Sequence, residues 1–201
     1  MKESYHHGDL KSTLIEAGVK LLSEEGVEGL SLRKLAREVG VSHNAPYMHF
    51  SDKEAVLAAI AQQGFQLLGE AVDAGQQMAL TDSLEGRLTA VAQSYVKFAI
   101  DHPNHLMVMF GKLDASDHPE LMQTSHATFH QLTRIVEAAS QADQAEGYQP
   151  EHIAMLLWIN IHGLSTLLIA QKIPSYARQG FSDEQLTQMS VQALCRGILQ
   201  K

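Results

Sequence analysis

Tyr47, His49 and Lys53 place three hydrogen-bonding or cationic side chains within seven residues, and Lys53 stands beside the start of a predicted helix. Free backbone N–H groups and the macrodipole at such a helix end favour a phosphate. The chemistry on offer is the holding of an anion rather than the breaking of a bond. The chain shows no Gly-rich phosphate loop, nucleophile elbow or paired carboxylates in a plausible cleft, so an enzyme is not expected and no cofactor is called for.

The elements that must position these groups are legible from Ser31 to Glu54. Ser31 is a good N-cap, and Leu32, Leu35, Ala36 and Val39 recur at helical spacing on one face. Gly40 occupies a helix C′ position, where the left-handed conformation costs only glycine nothing. Val41 is placed to plug the corner, and Ser42 can cap a second helix beginning at His43. Pro46 falls late in that helix, which predicts a distorted first turn and an end near Phe50. Ser51 with Glu54 three residues on reads as a capping box for the next helix. Two short helices around a tight turn make the helix-turn-helix pattern, whose second helix enters the DNA major groove.

With these residues in view, the first fifty-odd positions resemble the DNA-binding domain of the tetracycline-repressor (TetR) family of bacterial regulators. The resemblance rests on Gly26, the run Ser31 to Ala36, Gly40-Val41-Ser42, Tyr47 to Phe50 and Asp52-Lys53-Glu54. It implies that Tyr47, His49 and Lys53 contact phosphates, and that His43 and Asn44, opening the recognition helix beside Ser42, face base edges. Arg33 is implied to reach a base as well. Ala45-Pro46 departs from the small polar residue and leucine that many members carry there.

Composition sets the frame. The chain has 201 residues, enough for one large or two small domains with a real core. The lone Cys195 lies in an apolar helical stretch and reads as a buried small hydrophobe, in keeping with a reducing compartment. MKESYHHGDLK has no apolar h-region, so no signal peptide is expected and the protein is placed in the cytoplasm. The long apolar run Ile153 to Ala170 contains Asn160, His162, Ser165 and Thr166, which predicts a buried or interface helix rather than a membrane span.

Net charge is −8, against the basic balance of a protein that coats DNA non-specifically. Residues 1–53 hold seven Lys and Arg against eight Asp and Glu; residues 54–201 hold eight against fifteen. A small positioned face is therefore expected to do the binding, with Arg33, Lys34, Arg37 and Lys53 converging on one side, because contacts within a Debye length of roughly 8 Å dominate.

The expected fold is all-α, with about nine helices. Residues 1–52 are read as a three-helix DNA-binding domain and residues 53–201 as an effector-binding and dimerising domain. Helices are predicted from about Asp9 to Glu25, from Asp52 to Ala79, from Ser83 to Asp101 and from Leu106 to Leu113. Three more are predicted, from Pro119 to before Gly147, from Pro150 to Lys172 and from Ser182 to about Gln200, with Ile173–Gly180 a loop. Pro103 stops one helix, because the residue before proline avoids helical angles. Ser182 with Gln185 forms a second capping box.

Tyr95 to Pro103, Met109-Phe110, and Trp158 with His162-Gly163 carry a second resemblance, to the WHG type of C-terminal domain in the same family. It implies an effector-binding body whose last two long helices pair with their symmetry mates. The residues point the same way: the 150–172 helix is apolar nearly all round and must be covered on several sides. Leu156, Gly163, Leu167 and Leu194 are the expected dimer contacts. A ligand pocket is expected from Tyr95, Phe98, Met107, Phe110, Met122, His126, Phe129, His130, Met155, Trp158 and His162, bulky apolar groups with a few convergent polar ones.

The sequence thus describes a homodimeric, small-molecule-responsive regulator, read as a repressor, on a palindromic DNA operator, with no membrane partner. Two alternatives stand beside it. One is a metal-dependent sensor, since His126 and His130 are four apart on a helix and His105, Asp114, Asp117 and His118 lie near in sequence. The other is a helical interaction module that does not read DNA.

Overall fold

The computed structural model describes residues 7–79, 81, 83–143 and 149–199. Among them are nine α-helices, two 3₁₀ turns and no strand. The order is α1 (His7–Gly29), α2 (Leu32–Val39), a 3₁₀ turn at Pro46–Met48, α3 (Lys53–Gln77), α4 (Leu84–Asp101) and α5 (Pro103–Met109). A 3₁₀ turn at Ala115–Asp117 then precedes α6 (Pro119–Asp143), α7 (Pro150–Ile169), α8 (Ser175–Arg178) and α9 (Asp183–Leu199). The expected helix ends near Gly147 and Gln200 lie outside the described residues.

The chain divides into two compact units, Met1–Gly64 with Asn104–Gln123, and Phe65–Pro103 with Thr124–Lys201. In the first, Leu14, Leu21, Leu35, Phe50, Val56 and Ile60 form the buried core. His105 of α5 is buried and hydrogen-bonds through Nε2 to Gln63 Oε1 of α3 at 3.1 Å. In the second, α4 packs on α7 and α9, which also pack on each other. Its core holds Leu84, Leu88, Val91, Ile153, Leu157, Ile161 and Val191, together with Cys195.

Local chemistry explains the boundaries and four differences from expectation. α1 is interrupted at Gly26, whose φ of 68° is left-handed, so the regular helix ends where glycine permits and a last turn follows. The cap of α3 is Asp52 rather than Ser51: Asp52 Oδ1 accepts from Ala55 N at 2.8 Å, while Ser51 Oγ donates to Asp52 Oδ2. α5 starts at Pro103 instead of Leu106, since proline is at ease in a first turn and His102 leaves the helical region ahead of it. α8 is one turn of polar sequence inside the expected loop. It opens after Pro174 and closes at Gln179, whose φ is 48°. Four residues without apolar periodicity leave no pattern to find. The capping box at Ser182 is as expected, with Ser182 N to Gln185 Oε1 at 2.8 Å and Gln185 N to Ser182 Oγ at 3.2 Å.

Candidate nucleic-acid interface

α2 is fixed at both ends. Ser31 Oγ accepts from Lys34 N, and Gly40, with φ 76°, ends the helix in the left-handed conformation. Gly40 N donates to Arg37 O at 3.2 Å and Val41 N to Ala36 O at 2.9 Å, the double closure of a Schellman turn. The apolar face Leu32, Leu35 and Ala36 is buried, so Arg33 and Arg37 face outward.

The segment after the turn is not the regular helix expected from His43. Pro46 has no N–H, and the chain compensates with successive short turns. Ala45 N bonds to Ser42 O at 3.0 Å, Met48 N to Ala45 O at 3.2 Å, and His49 N to Pro46 O at 3.0 Å. Ser42 thus contributes its carbonyl to the turn. Pro46 and Phe50 are buried and anchor the segment, while Ser42, His43, Asn44 and Tyr47 are exposed and His49 is half-buried. Phe50 N closes back on Pro46 O at 2.9 Å, and α3 starts three residues later with Lys53.

Charge is distributed by pairing. Lys34, expected to join the basic face, is instead engaged by Glu25, and Lys20 by Glu38. Arg33, Arg37 and Lys53 form no ion pair with any described residue. The Asp52 carboxyl is held below its ordinary pKa by the Ala55 N–H, then by the Ser51 hydroxyl, with His118 adding a smaller electrostatic pull. Lys11 and His49 border a hollow of about 390 Å³. Lys53 borders another of about 590 Å³ with Lys112, and four carboxylates, Glu28, Glu54, Asp114 and Asp117, line it too. The arrangement offers cations and hydrogen-bond donors along one turn and one helix start, suited to a polyanion.

Two residues escaped the sequence reading. Met48 is 82% exposed between Tyr47 and His49, and Lys11 shares the hollow with His49. An exposed methionine at this spot has no distinguishing sequence signal, and Lys11 is brought there only by packing.

Two family descriptions match this architecture. That of bacterial regulatory proteins of the tetR family covers residues 14–60, and that of the tetracyclin repressor-like C-terminal domain covers residues 88–194, more than half of the chain. The chain belongs to the TetR family of transcriptional regulators. This TetR-family chain is similar over 99% of its length, and 100% of the other's, to a structure of a protein of unknown function from Rhodococcus sp. RHA1, at 31% identity and a TM-score of 0.82. It is 26% identical to an HTH-type transcriptional regulator of Mycobacterium tuberculosis over 102 residues, 51% of this chain and 44% of the relative. The class A tetracycline repressor of Escherichia coli is 49% identical over 51 residues, 25% of this chain and 24% of that one. The matched segments therefore span less than half of these curated relatives.

In the second unit of this TetR-family regulator, four of the expected ligand residues come together. Tyr95 Oη lies 2.8 Å from His162 Nδ1, and Trp158 sets its ring 6.2 Å from Phe129 and 6.3 Å from His162. Burial is the main cause raising the Tyr95 pKa, with the Trp158 side chain as a hydrogen-bond partner, and burial pushes His162 below its ordinary value. These two polar atoms satisfy one another. Phe98 is buried with its ring 5.2 Å from that of His102. His126 and His130 are exposed, as is Met155. No group of three or more potential metal ligands occurs among the described residues. Met107, Phe110 and Met122 belong to the first unit.

The apolar helix α7 is long and apolar enough to cross a membrane by length and composition alone. Here it packs through Ile153, Ala154, Leu157, Ile161 and Ser165. Leu156, Ile159 and Leu167 remain exposed, with 36%, 58% and 48% of their surfaces open. Gly163 lies on that open face, where a Cβ would meet nothing within 4 Å. On α9, Leu194 is half-buried and Gly197 is likewise open.

Proposed function

We propose that this regulator binds a two-fold DNA operator as a homodimer and is released, as a repressor, by a small molecule. The observation that carries the reading is the exposed row on α2 and the turns that follow it: Arg33, Ser42, His43, Asn44, Tyr47 and Met48 face outward ahead of Lys53 on the start of α3. Arg33 and Asn44 have the donor and acceptor geometry for guanine and adenine edges. Tyr47, His49 and Lys53 donate to phosphates and fix the register. The second unit supports dimerisation because the exposed Leu156, Ile159, Gly163 and Leu167 form an apolar face that a soluble monomer rarely leaves open. An isologous pairing of α7 and α9 covers it, each chain presenting the same patch.

Two readers on one dimer match a palindrome when they sit about 34–36 Å apart, one turn of B-DNA. A ligand in the second unit that shifts α3, which runs into both units, changes that separation and releases DNA. Selection from a random DNA pool tests the reading. Wild type is expected to return one palindromic motif, and Asn44→Ala the same motif relaxed at one position per half-site, at a cost of about 1–3 kcal/mol there. Random sequences from wild type would refute DNA reading; an unchanged motif from the variant would remove Asn44 from the readers.

A further inference from the structure

The Tyr95–His162 pair spends its polar atoms internally, so the polar groups that remain open in the second unit lie elsewhere. α3, α4 and α6 line a cleft of about 600 Å³, within the range of small-molecule sites. A neighbouring hollow of about 370 Å³ shares Asp73, Gln131 and Arg134 with it. Gln76 Nε2 donates to the Arg87 carbonyl at 3.0 Å, and Arg87 Nη1 donates to Gln76 Oε1 at 3.3 Å. The side chain of Arg87 is thereby held along α3. Gln131 Nε2 donates to Asp73 Oδ1 at 2.6 Å and to Gly69 O at 3.0 Å.

These bonds decide the electrostatics. Asp73 is the carboxylate of the 600 Å³ cleft, and an amide occupies one of its oxygens. Arg134, exposed on α6, forms no hydrogen bond or ion pair with any described residue. Ile135, Ala138 and Ala139 continue the lining as an apolar strip along the same helix. A planar guanidinium presents a fork of donors that fits a carboxylate or phosphate through two parallel bonds. Glu70 lines only the adjoining hollow, so in the 600 Å³ cleft both Asp73 and Arg87 are engaged and Arg134 is the open charge.

We propose that this cleft binds a small organic anion, a carboxylate or phosphate ester with a short apolar tail, with Arg134 as its charge partner. The tail lies on Ile135, Ala138 and Ala139, and the head group on Arg134. The consequence for DNA rests on the effector-responsive reading above; the binding itself does not.

Titration calorimetry on the full chain with octanoate, octyl phosphate, octan-1-ol and octylamine tests this. The expected result is saturable binding of at least one anion, tenfold or more tighter than the alcohol, and none of the amine. The ratio between octanoate and octyl phosphate identifies the head group. Arg134→Gln is expected to weaken anion binding tenfold or more with an unchanged circular dichroism spectrum, and Arg134→Lys to restore part of it. Equal binding of alcohol and anion, no anion binding, or an unaltered Arg134→Gln would overturn the proposal. If the anion binds through Arg134 but leaves DNA affinity unchanged, the site stands and the effector reading falls.

Discussion

Replacing Tyr95 by Phe removes one oxygen from the interior of the second unit and keeps the ring. That oxygen meets His162 Nδ1 at 2.8 Å and is a hydrogen-bond partner of Trp158. Tyr95 is only 4% exposed, so bulk water does not simply take its place. Losing a net hydrogen bond costs about 1 kcal/mol, and leaving a buried partner unsatisfied about 1–3 kcal/mol. His162 and Trp158 are only half-buried, which places the sum near the lower end, about 2 kcal/mol. For a chain of this size that is a drop in Tm of about 4–8 °C.

A pH dependence follows from the same contact. Burial holds the folded pKa of His162 below the unfolded value. Between the two pKa values the unfolded chain binds more protons, so stability is full above about pH 6.5 and falls as pH descends toward the folded pKa. Tyr95→Phe keeps the ring that helps bury His162, so the variant loses stability on acidification as wild type does. Thermal melts of both proteins from pH 7.5 to pH 5 therefore give curves that fall together in acid. A variant within 1 °C of wild type at pH 7.5, or a wild-type Tm that does not fall in acid, would refute the reasoning.

Lys53→Ala is expected to weaken binding to operator and to random DNA about equally and to lower the log–log salt slope by about 0.9 per lost phosphate contact, measured by fluorescence anisotropy across a salt series. Tyr47→Phe and His49→Ala are expected to lower affinity while the selected motif stays the same, and unchanged operator affinity in all three would remove them as phosphate contacts. Gly163→Leu adds a side chain into space that is open within its own chain, so folding is expected to survive while the dimer is lost. Sedimentation then shows a helical monomer without operator binding, whereas a dimer with normal DNA affinity sinks the α7–α9 interface.

Much of the first unit was written in local chemistry. Ser31, Gly40 and Val41 specify where α2 starts and stops, because capping and a left-handed φ depend on a few adjacent residues. Pro46 announced a distortion, yet its full extent, a chain of short turns in place of a helix, depended on how Pro46 and Phe50 became buried. The same locality misplaced the α3 cap by one residue, since Ser51 and Asp52 are both good caps and only geometry decides which oxygen reaches Ala55 N.

The sequence by itself determined the all-α class, the capped α2 with its closing turn and the apolar character of α7 on nearly all sides, since helical period, turn glycine and N-cap act over a few residues. Tertiary structure alone decided which polar groups are spent and which are left. Lys34 is consumed by Glu25, Tyr95 by His162, and Asp73 in part by Gln131, across separations from nine to sixty-seven residues. Arg134 remains open for the same reason. A charge or hydroxyl is available only when folding has brought no partner to it, and no spacing along the chain records that.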